Sequence, residues 1–498
     1  MKLQLPNSAK NMTSLIGATI ALISFFMIIF LFVIATFFSG QPIYLGLVTY
    51  ILLPGIMIIG LIIIPIGMWK TSRKKAGKDT YWPFVDLNDK RHRNALLIFV
   101  SGTAVFFLMS AVGSYEAFHY TESVEFCGTM CHNVMKPEYT AYQHSSHARV
   151  ACAECHIGSG ADWFVKSKLS GLYQVYAVIA DVYPTPIATP IANLRPARET
   201  CEQCHWPQKF YSNKLHVERH YLNDEENTEW DIYLNMKIGA VHSARGLEEG
   251  IHWHINPDVK IEYVSTHEKL QEIPWVRYTN LKTGEVTVYN DEDNPLEEGA
   301  LDSLEIKMMD CMDCHNRPSH SYKPPAFFVN EAITAGKIPE DLPEIKSLTM
   351  QISAEEFTSS DTAAMYIEST INEFYEEDYP EIVEEQPELI EQAIAGFKEQ
   401  YFSNIFPEMQ VRWSAYPNNI GHVEFDGCFR CHNDLHSSED GKVISRDCNL
   451  CHSISAQGYP DSLMYANVNE SLEFKHPSDI DEEWKESLCT DCHTGLDP

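Results

Sequence analysis

Six times in this chain a Cys-X-X-Cys pair is followed directly by His, a seventh copy has one extra residue between its cysteines, and together they use all fourteen cysteines. The six are Cys152/Cys155/His156, Cys201/Cys204/His205, Cys311/Cys314/His315, Cys428/Cys431/His432, Cys448/Cys451/His452 and Cys489/Cys492/His493; the wider one is Cys127/Cys131/His132. The order of residues is what covalent haem c demands. Two thiols add across the two vinyl groups of one haem, and the adjoining imidazole points at the iron. Zinc sites and thioredoxin-like dithiols also use such cysteine pairs, but neither requires a His after every second Cys. Disulfides across so short a span would constrain little of the chain. In the wider motif the three-residue gap must bow outward to keep the thiols at the same separation. A chain carrying seven covalent haems folds around them, so the expectation for this part is little regular structure.

The first 120 residues decide where those haems sit. Thr13 to Phe38, Tyr44 to Trp69 and Ala95 to Phe118 are apolar runs, each long enough to cross a bilayer as a helix, and the third carries only Glu116 near its end. The first run is too long for a signal peptide and no small-residue cleavage site follows Phe38, so these read as retained anchors. Lys70, Arg73, Lys74, Lys75, Lys78, Lys90, Arg91 and Arg93 lie between the second and third runs, whereas Ser39 to Ile43 holds no basic residue. Basic loops stay in the cytoplasm, which puts everything after the third span outside, where bacteria attach haem c. The spans contain no internal His to ligate a b-type haem and no buried charge for a proton path.

A formal charge of −32 excludes nucleic acid as a partner and suits steering of a basic soluble protein toward the acidic outer part. The chain divides into two spans with a basic cytoplasmic loop (1–93), a third span (94–118), a four-haem region (119–330) with a β-rich insertion at about 216–305, an acidic helical segment (340–410) and a three-haem C-terminal region (420–498). In the insertion DIYLNMKI, GIHWHI, VKIEYVS, PWVRYT and EVTVY read as strands of an antiparallel sheet, with turns at Asn256-Pro257-Asp258 and Lys282-Thr283-Gly284. Residues 360–406 read as two amphipathic helices, with Ala364, Ile367, Ile371 and Phe374 on one inner face and Ile390, Ile394, Phe397 and Tyr401 on the other. Sixth ligands must come from the remaining histidines. His422, His436 and His476 supply three for the last three haems, while His252 and His254 alternate onto one face of their strand, with His216, His220 and His242 also available; His220 and His254 are preferred. His119, His144 and His267 read as non-ligands.

FCGTMCHNVMKPEYTAYQHSSHARVACAECHIGSGADWFVKSKLSG, NLRPARETCEQCHWP and CMDCHNRPSH resemble the NapC/NirT family of membrane-anchored quinol-oxidising cytochromes. The likeness covers the third span, residues 119–215 and residues 311–320; the two extra spans, the sheet insertion, the wider first motif and the three C-terminal haems depart from the family's single anchor and four haems. The resemblance implies a quinol dehydrogenase that feeds periplasmic redox proteins in anaerobic respiration. It also implies that His147 and His320 ligate haems of other motifs, that Met135 replaces His132 on the first iron, and that Lys168, with Lys166 beside it, serves a quinol site near Glu116. The family's matching acid falls by count at Val175, with Gln174 adjacent and Asp181 further on. Two other functions compete. A nitrite- or hydroxylamine-reducing enzyme would need one open haem, against a histidine supply ample to close every iron; a passive electron-wire subunit would not oxidise quinol by itself.

Overall fold

The computed structural model describes residues 10–37, 48–75, 86–130, 132–158, 160–189, 195–210, 213–239, 250–297 and 299–496. They fall into two compact units, Met1–Met135 with Ala151–Ala153 and Lys136–Val150 with Glu154–Pro498.

The first unit is built on three long apolar helices: α1 (Met12–Phe37), α2 (Leu53–Lys75) and α3 (Lys90–Glu122). Each is long and apolar enough to cross a membrane. Their bounds differ from the apolar runs in a physically readable way. A single π turn, Val48–Leu52, leads into α2, and α3 begins five residues before the apolar run because the Asp89 side chain accepts from the Arg91 backbone N–H at 2.8 Å and caps the helix. Helices α1 and α2 meet through small residues. A Cβ at Gly17 would stand 2.7 Å from the Gly60 carbonyl oxygen, and one at Gly67 2.5 Å from Ser14 Oγ. In lipid, where apolar surface gains nothing from leaving water, such close backbone approach and the 2.9 Å bond from Ser14 Oγ to the Ile64 carbonyl hold helices together. The loop Ser39 to Ile43 and Lys78 lie outside the described residues.

In the second unit a helix running from His132 to Gln143 (α4) contributes its later residues, followed by α5 (Ala161–Ala180). Nine strands come next in two antiparallel sheets: β1 (Asn213–Tyr221), β2 (Glu229–Lys237), β3 (Val259–Val264), β4 (Trp275–Asn280), β5 (Val286–Asp291), β6 (Lys307–Met308), β7 (His436–Ser438), β8 (His452–Gly458) and β9 (Met464–Tyr465) among the described residues. The orders are β1-β2-β8-β9 and β6-β3-β4-β5-β7. Strands of the insertion therefore do not close a sheet alone, because β7, β8 and β9 arrive from the C-terminal haem region. On β3 the period-two pattern holds, with Val259, Ile261 and Tyr263 in one apolar cluster with Ile273 and Val276. GIHWHI is not a strand. Ile251–Ile255 forms a 3₁₀ turn, which separates His252 and His254 instead of placing them on one face.

The larger core is helical: α6 (Pro325–Thr334), α7 (Ile345–Ala354), α8 (Ser360–Asp378), α9 (Pro380–Glu385) and α10 (Pro387–Asn404). Pro380 and Pro387 cut the acidic stretch into three helices where the periodicity suggested two, since proline is tolerated in a first turn but not inside. The buried stripe is Ala363, Ile367, Ile371 and Tyr375 against Ile390, Ala393, Phe397 and Tyr401, one residue removed from the expected face at Ala364, Phe374 and Ile394.

Candidate functional site

The motifs fold as single tight turns. In four of them the backbone N–H of the His closes on the carbonyl of the first Cys, at 2.8 Å for His205, His315 and His493 and 3.0 Å for His432. So short a turn keeps the two thiols and the imidazole within the span of a single haem. At Cys311–Cys314 a capping box fixes the start, Asp310 accepting from the Met312 N–H at 2.7 Å while Asp313 accepts from the Asp310 N–H.

Opposite six of the motif histidines stands a second histidine from elsewhere in the chain. Ring centres lie 6.2 Å apart for His156 and His320, 6.1 Å for His205 and His147, 6.3 Å for His315 and His252, 5.8 Å for His432 and His254, 6.3 Å for His452 and His422, and 6.0 Å for His493 and His476. Two imidazole nitrogens bound to one iron at about 2 Å each put their ring centres about 6 Å apart, so every one of these gaps fits an iron with an imidazole on each side.

The hydrogen bonds agree on which nitrogen is available. Nδ1 is held by a backbone carbonyl in His147 (Pro318, 3.2 Å), His252 (Ile238, 2.8 Å), His254 (Ile251, 2.9 Å), His320 (Glu138, 3.0 Å) and His432 (Ser445, 2.9 Å). An Nδ1–H donated to a carbonyl leaves Nε2 with its lone pair, the form that binds metal. Burial pushes His156, His252, His254, His315, His422 and His432 below the usual imidazole range, which favours the same neutral form.

Two expected ligands stand elsewhere. His436 is fully buried with an oxygen against each ring nitrogen, Asn433 Oδ1 2.9 Å from Nδ1 and the Ile273 carbonyl 2.7 Å from Nε2, so neither nitrogen faces a motif histidine. Asn433 Oδ1 also accepts from the Leu435 N–H, so the amide oxygen is the atom that faces the ring. His220 lies on β1, paired in register with Trp230, and no motif histidine ring stacks on it among the described contacts; burial, chiefly, lowers it, with Lys346 and His493 also near. In place of His436, the motif at His432 faces His254, and the motif at His315 faces His252, which the strand reading had set aside. His216 pairs with Glu218, and the His144 and His267 ring nitrogens bond to local backbone. His242 lies outside the described residues.

Thiols of successive motifs also meet. Cys127 hydrogen-bonds Cys152 and lowers it to about 7; Cys201 is raised chiefly by its hydrogen bond to Cys311, with Cys155 also close. Burial raises Cys314, Cys451 and Cys489, and a neighbouring motif adds to each: Cys428 beside Cys314 and beside Cys451, Cys448 beside Cys489. Read along these contacts, the motifs from Cys155 onward form one file in sequence order.

The sequence treats all the motif thiols alike, and here the structure differs. Cys204 and Cys492 are exposed, as is Cys448, whereas the other described motif cysteines are half-buried. The reason lies in where their turns end. Cys204 stands in a run of exposed residues with Gln203, His205 and Trp206, and Cys492 stands between exposed Asp491 and half-buried His493, with Thr494 exposed beyond. Cys204 and Cys492 are therefore surface thiols, while their partners Cys201 and Cys489 touch a neighbouring motif. A thioether forms at the edge of a haem, so an exposed rim position suits attachment.

The first motif is different. Cys131 and the His132 side chain lie outside the described residues, and Met135 is half-buried on α4. Among the described residues every histidine that faces a motif is already matched to one of the other six. Of the three residues singled out for quinol, Glu116 lies near the end of α3, while Lys166 and Lys168 sit on α5 with their ammonium groups 4.6 Å from the Trp163 ring centre and 5.0 Å from that of Phe164.

Residues 89–190 match the NapC/NirT cytochrome c family, N-terminal region. Over 487 residues the chain is 42% identical to the cytochrome c-type protein ImcH of Geobacter sulfurreducens, spanning 97% of this chain and 95% of that protein. Over 165 residues it is 26% identical to the cytochrome c-type protein NrfH of Wolinella succinogenes, spanning 32% of this chain and 92% of that protein. The short relative thus corresponds to about a third of the chain and the long one to nearly all of it. No solved structure matches.

Proposed function

Because this chain belongs to the NapC/NirT family of membrane-anchored cytochromes c, we propose that it oxidises quinol at the first motif and passes the electrons through seven c-type haems to a periplasmic c-type cytochrome or reductase. Its membrane is then the bacterial cytoplasmic membrane, with the motifs on the periplasmic side. Haem bound at these motifs supplies one-electron redox chemistry, with its potential set by axial ligands and burial.

The observation that carries the reading is the set of six histidine pairs along a file of touching motifs. A group held between two imidazoles has no position for a substrate, which favours transfer over nitrite or hydroxylamine reduction. The residues proposed as ligands are His156, His205, His315, His432, His452 and His493 with His320, His147, His252, His254, His422 and His476 opposite them, and Met135 or His132 at the first motif. All fourteen cysteines are the proposed thioether positions, exposed Cys204, Cys448 and Cys492 included. Quinol must lose two protons as well as two electrons. An ammonium at Lys166 or Lys168 against a quinol hydroxyl would favour its ionised form; one proton would pass to a carboxylate, for which Glu116 is proposed, and the other to water, while the two electrons leave singly through the motifs.

The test is reduction of the purified full chain in nanodiscs by a menaquinol analogue, with intact mass for haem content. Seven haems, reduction by quinol and low-spin signals from all but the first haem support the proposal. A mass fitting six haems would empty the Cys127/Cys131 site. Dithionite reduction without quinol reduction would leave only the wire, and a high-spin interior haem with nitrite turnover would favour the reductase.

A further inference from the structure

Helix α5 carries a long apolar stripe that nothing in the described chain covers. Val165, Leu169, Leu172, Tyr176 and Ile179 recur at steps of four and three, which places them in one row along the helix, and all are exposed: Leu169 by 62%, Leu172 by 68%, Ile179 by 80%. Soluble surfaces scatter single apolar residues, but a continuous row of five large ones marks a contact with something apolar. The polar residues of the helix are arranged around that row. Lys166 flanks it on one side and Lys168 on the other, both in the first two turns, while Ser167 and Gln174 lie on the opposite face. Tyr173 and Tyr176 are exposed beside and within the row.

We propose that α5 lies in the surface layer of the bilayer, its row of Val165, Leu169, Leu172, Tyr176 and Ile179 sunk among the upper acyl chains and Lys166 and Lys168 at the anionic headgroups. Three features favour lipid over a protein occupant. The same chain is anchored by three apolar helices, so a bilayer is always within reach of a segment that begins 39 residues after α3 ends at Glu122. Lysines flanking an apolar face, with tyrosines at its edge, are what an in-plane helix presents to headgroups. The chain as a whole carries a charge of −32, so two lysines beside an apolar row are a local exception to a surface that anionic lipid repels. The helix has a single acid, Asp162, in its first turn, where it serves the helix dipole.

The experiment is photolabelling of the holoprotein in phosphatidylcholine/phosphatidylglycerol nanodiscs with a lipid-soluble diazirine, followed by peptide mapping. Label is expected on residues 161–182 as well as on the three spans. In the variant Leu172→Asp/Ile179→Asp, label on this peptide falls by about five-fold while the spans keep theirs. Haem absorption of the variant checks that it has folded, and the wild-type map is decisive without it. Spans labelled with 161–182 unlabelled would overturn the proposal, as would cross-linking of the peptide to a second copy or to another protein at that face. Because the readout is lipid contact and not turnover, failure of the quinol reading would leave it untouched.

Discussion

His252 and His315 face each other with ring centres 6.3 Å apart and planes within 9° of parallel. Two residues on, His254 turns away to His432, 5.8 Å distant with the planes at 81°. A strand would aim both at one partner; the 3₁₀ turn Ile251–Ile255, with three residues to the turn, aims them at two. One short segment therefore faces the fourth and fifth motifs together.

His252→Ala is expected to open one haem face and give a single high-spin signal by electron paramagnetic resonance, with covalent haem content unchanged. His436→Ala is expected to leave every haem low-spin and to cost stability instead, about 1–3 kcal/mol in chemical denaturation, because a buried acceptor loses its imidazole donor. A high-spin signal in the His436 variant, and none in the His252 variant, would reverse the assignment.

How much of this was legible in the chain depends on the kind of signal. The apolar runs are local signals, and the structure has a long apolar helix in each of the three places where the sequence puts a span. His147, His320, His422 and His476, expected as ligands, face motif histidines. His436 entered as one of three histidines counted for the last three haems, whereas its ring lies against Asn433 and Ile273, the latter far away in sequence. The exposure of Cys204 and Cys492 is equally invisible in the motif, because it depends on which side of each turn the rest of the chain covers. β1 was missed because its apolar residues Leu215 and Val217 are exposed, so its alternation carries no burial signal; it is held by pairing with β2. Pairing of β8 with β2, across more than 200 residues, has no local trace at all.

Glu138 orients His320 twice over, its carbonyl 3.0 Å and its carboxylate 3.1 Å from Nδ1, and Arg317 spans both carboxylate oxygens at 3.2 and 3.3 Å. A carboxylate on Nδ1 makes the imidazole a stronger donor to iron, which stabilises the oxidised form. Glu138→Gln is therefore expected to raise the potential of one haem in a redox titration and leave the others in place. Arg317→Ala strands a nearly buried carboxylate and is expected to cost about 3–5 kcal/mol. An unchanged titration in the Gln variant would mean that Glu138 only fills space.

Lys346 is fully buried, and burial pulls its ammonium down to about 7 although Nζ donates to Asn330 Oδ1 at 2.7 Å and the Ala326 carbonyl at 3.0 Å. In the unfolded chain the same lysine titrates near 10.4. Between those values the unfolded state holds one more proton than the native state, so stability rises with pH, by up to about 1.4 kcal/mol per unit for this group, and its contribution is lost as pH falls toward 7. Lys346→Met is expected to remove that part of the slope between about pH 7 and 10 in denaturation followed by circular dichroism. Parallel slopes for variant and wild type would show that the native lysine keeps its proton.

Lys168 carries the proposed quinol chemistry, and its position on α5 makes the test sharp. The ammonium lies 5.0 Å from the Phe164 ring centre, one turn back on the same helix, so replacing it by Gln leaves the helix's apolar row and the haem motifs untouched. If the ammonium polarises the quinol hydroxyl, Lys168→Gln slows reduction by a quinol analogue by roughly 10²-fold, whereas reduction by dithionite and the haem spectra stay as in wild type. Glu116→Gln is expected to slow the same step and to shift its pH profile, since the carboxylate is the proposed proton acceptor. A lysine that only meets lipid phosphate would behave differently: the variant would keep wild-type kinetics in zwitterionic nanodiscs and respond only to the anionic lipid content. Wild-type quinol kinetics for Lys168→Gln in both lipids would remove this residue from the mechanism.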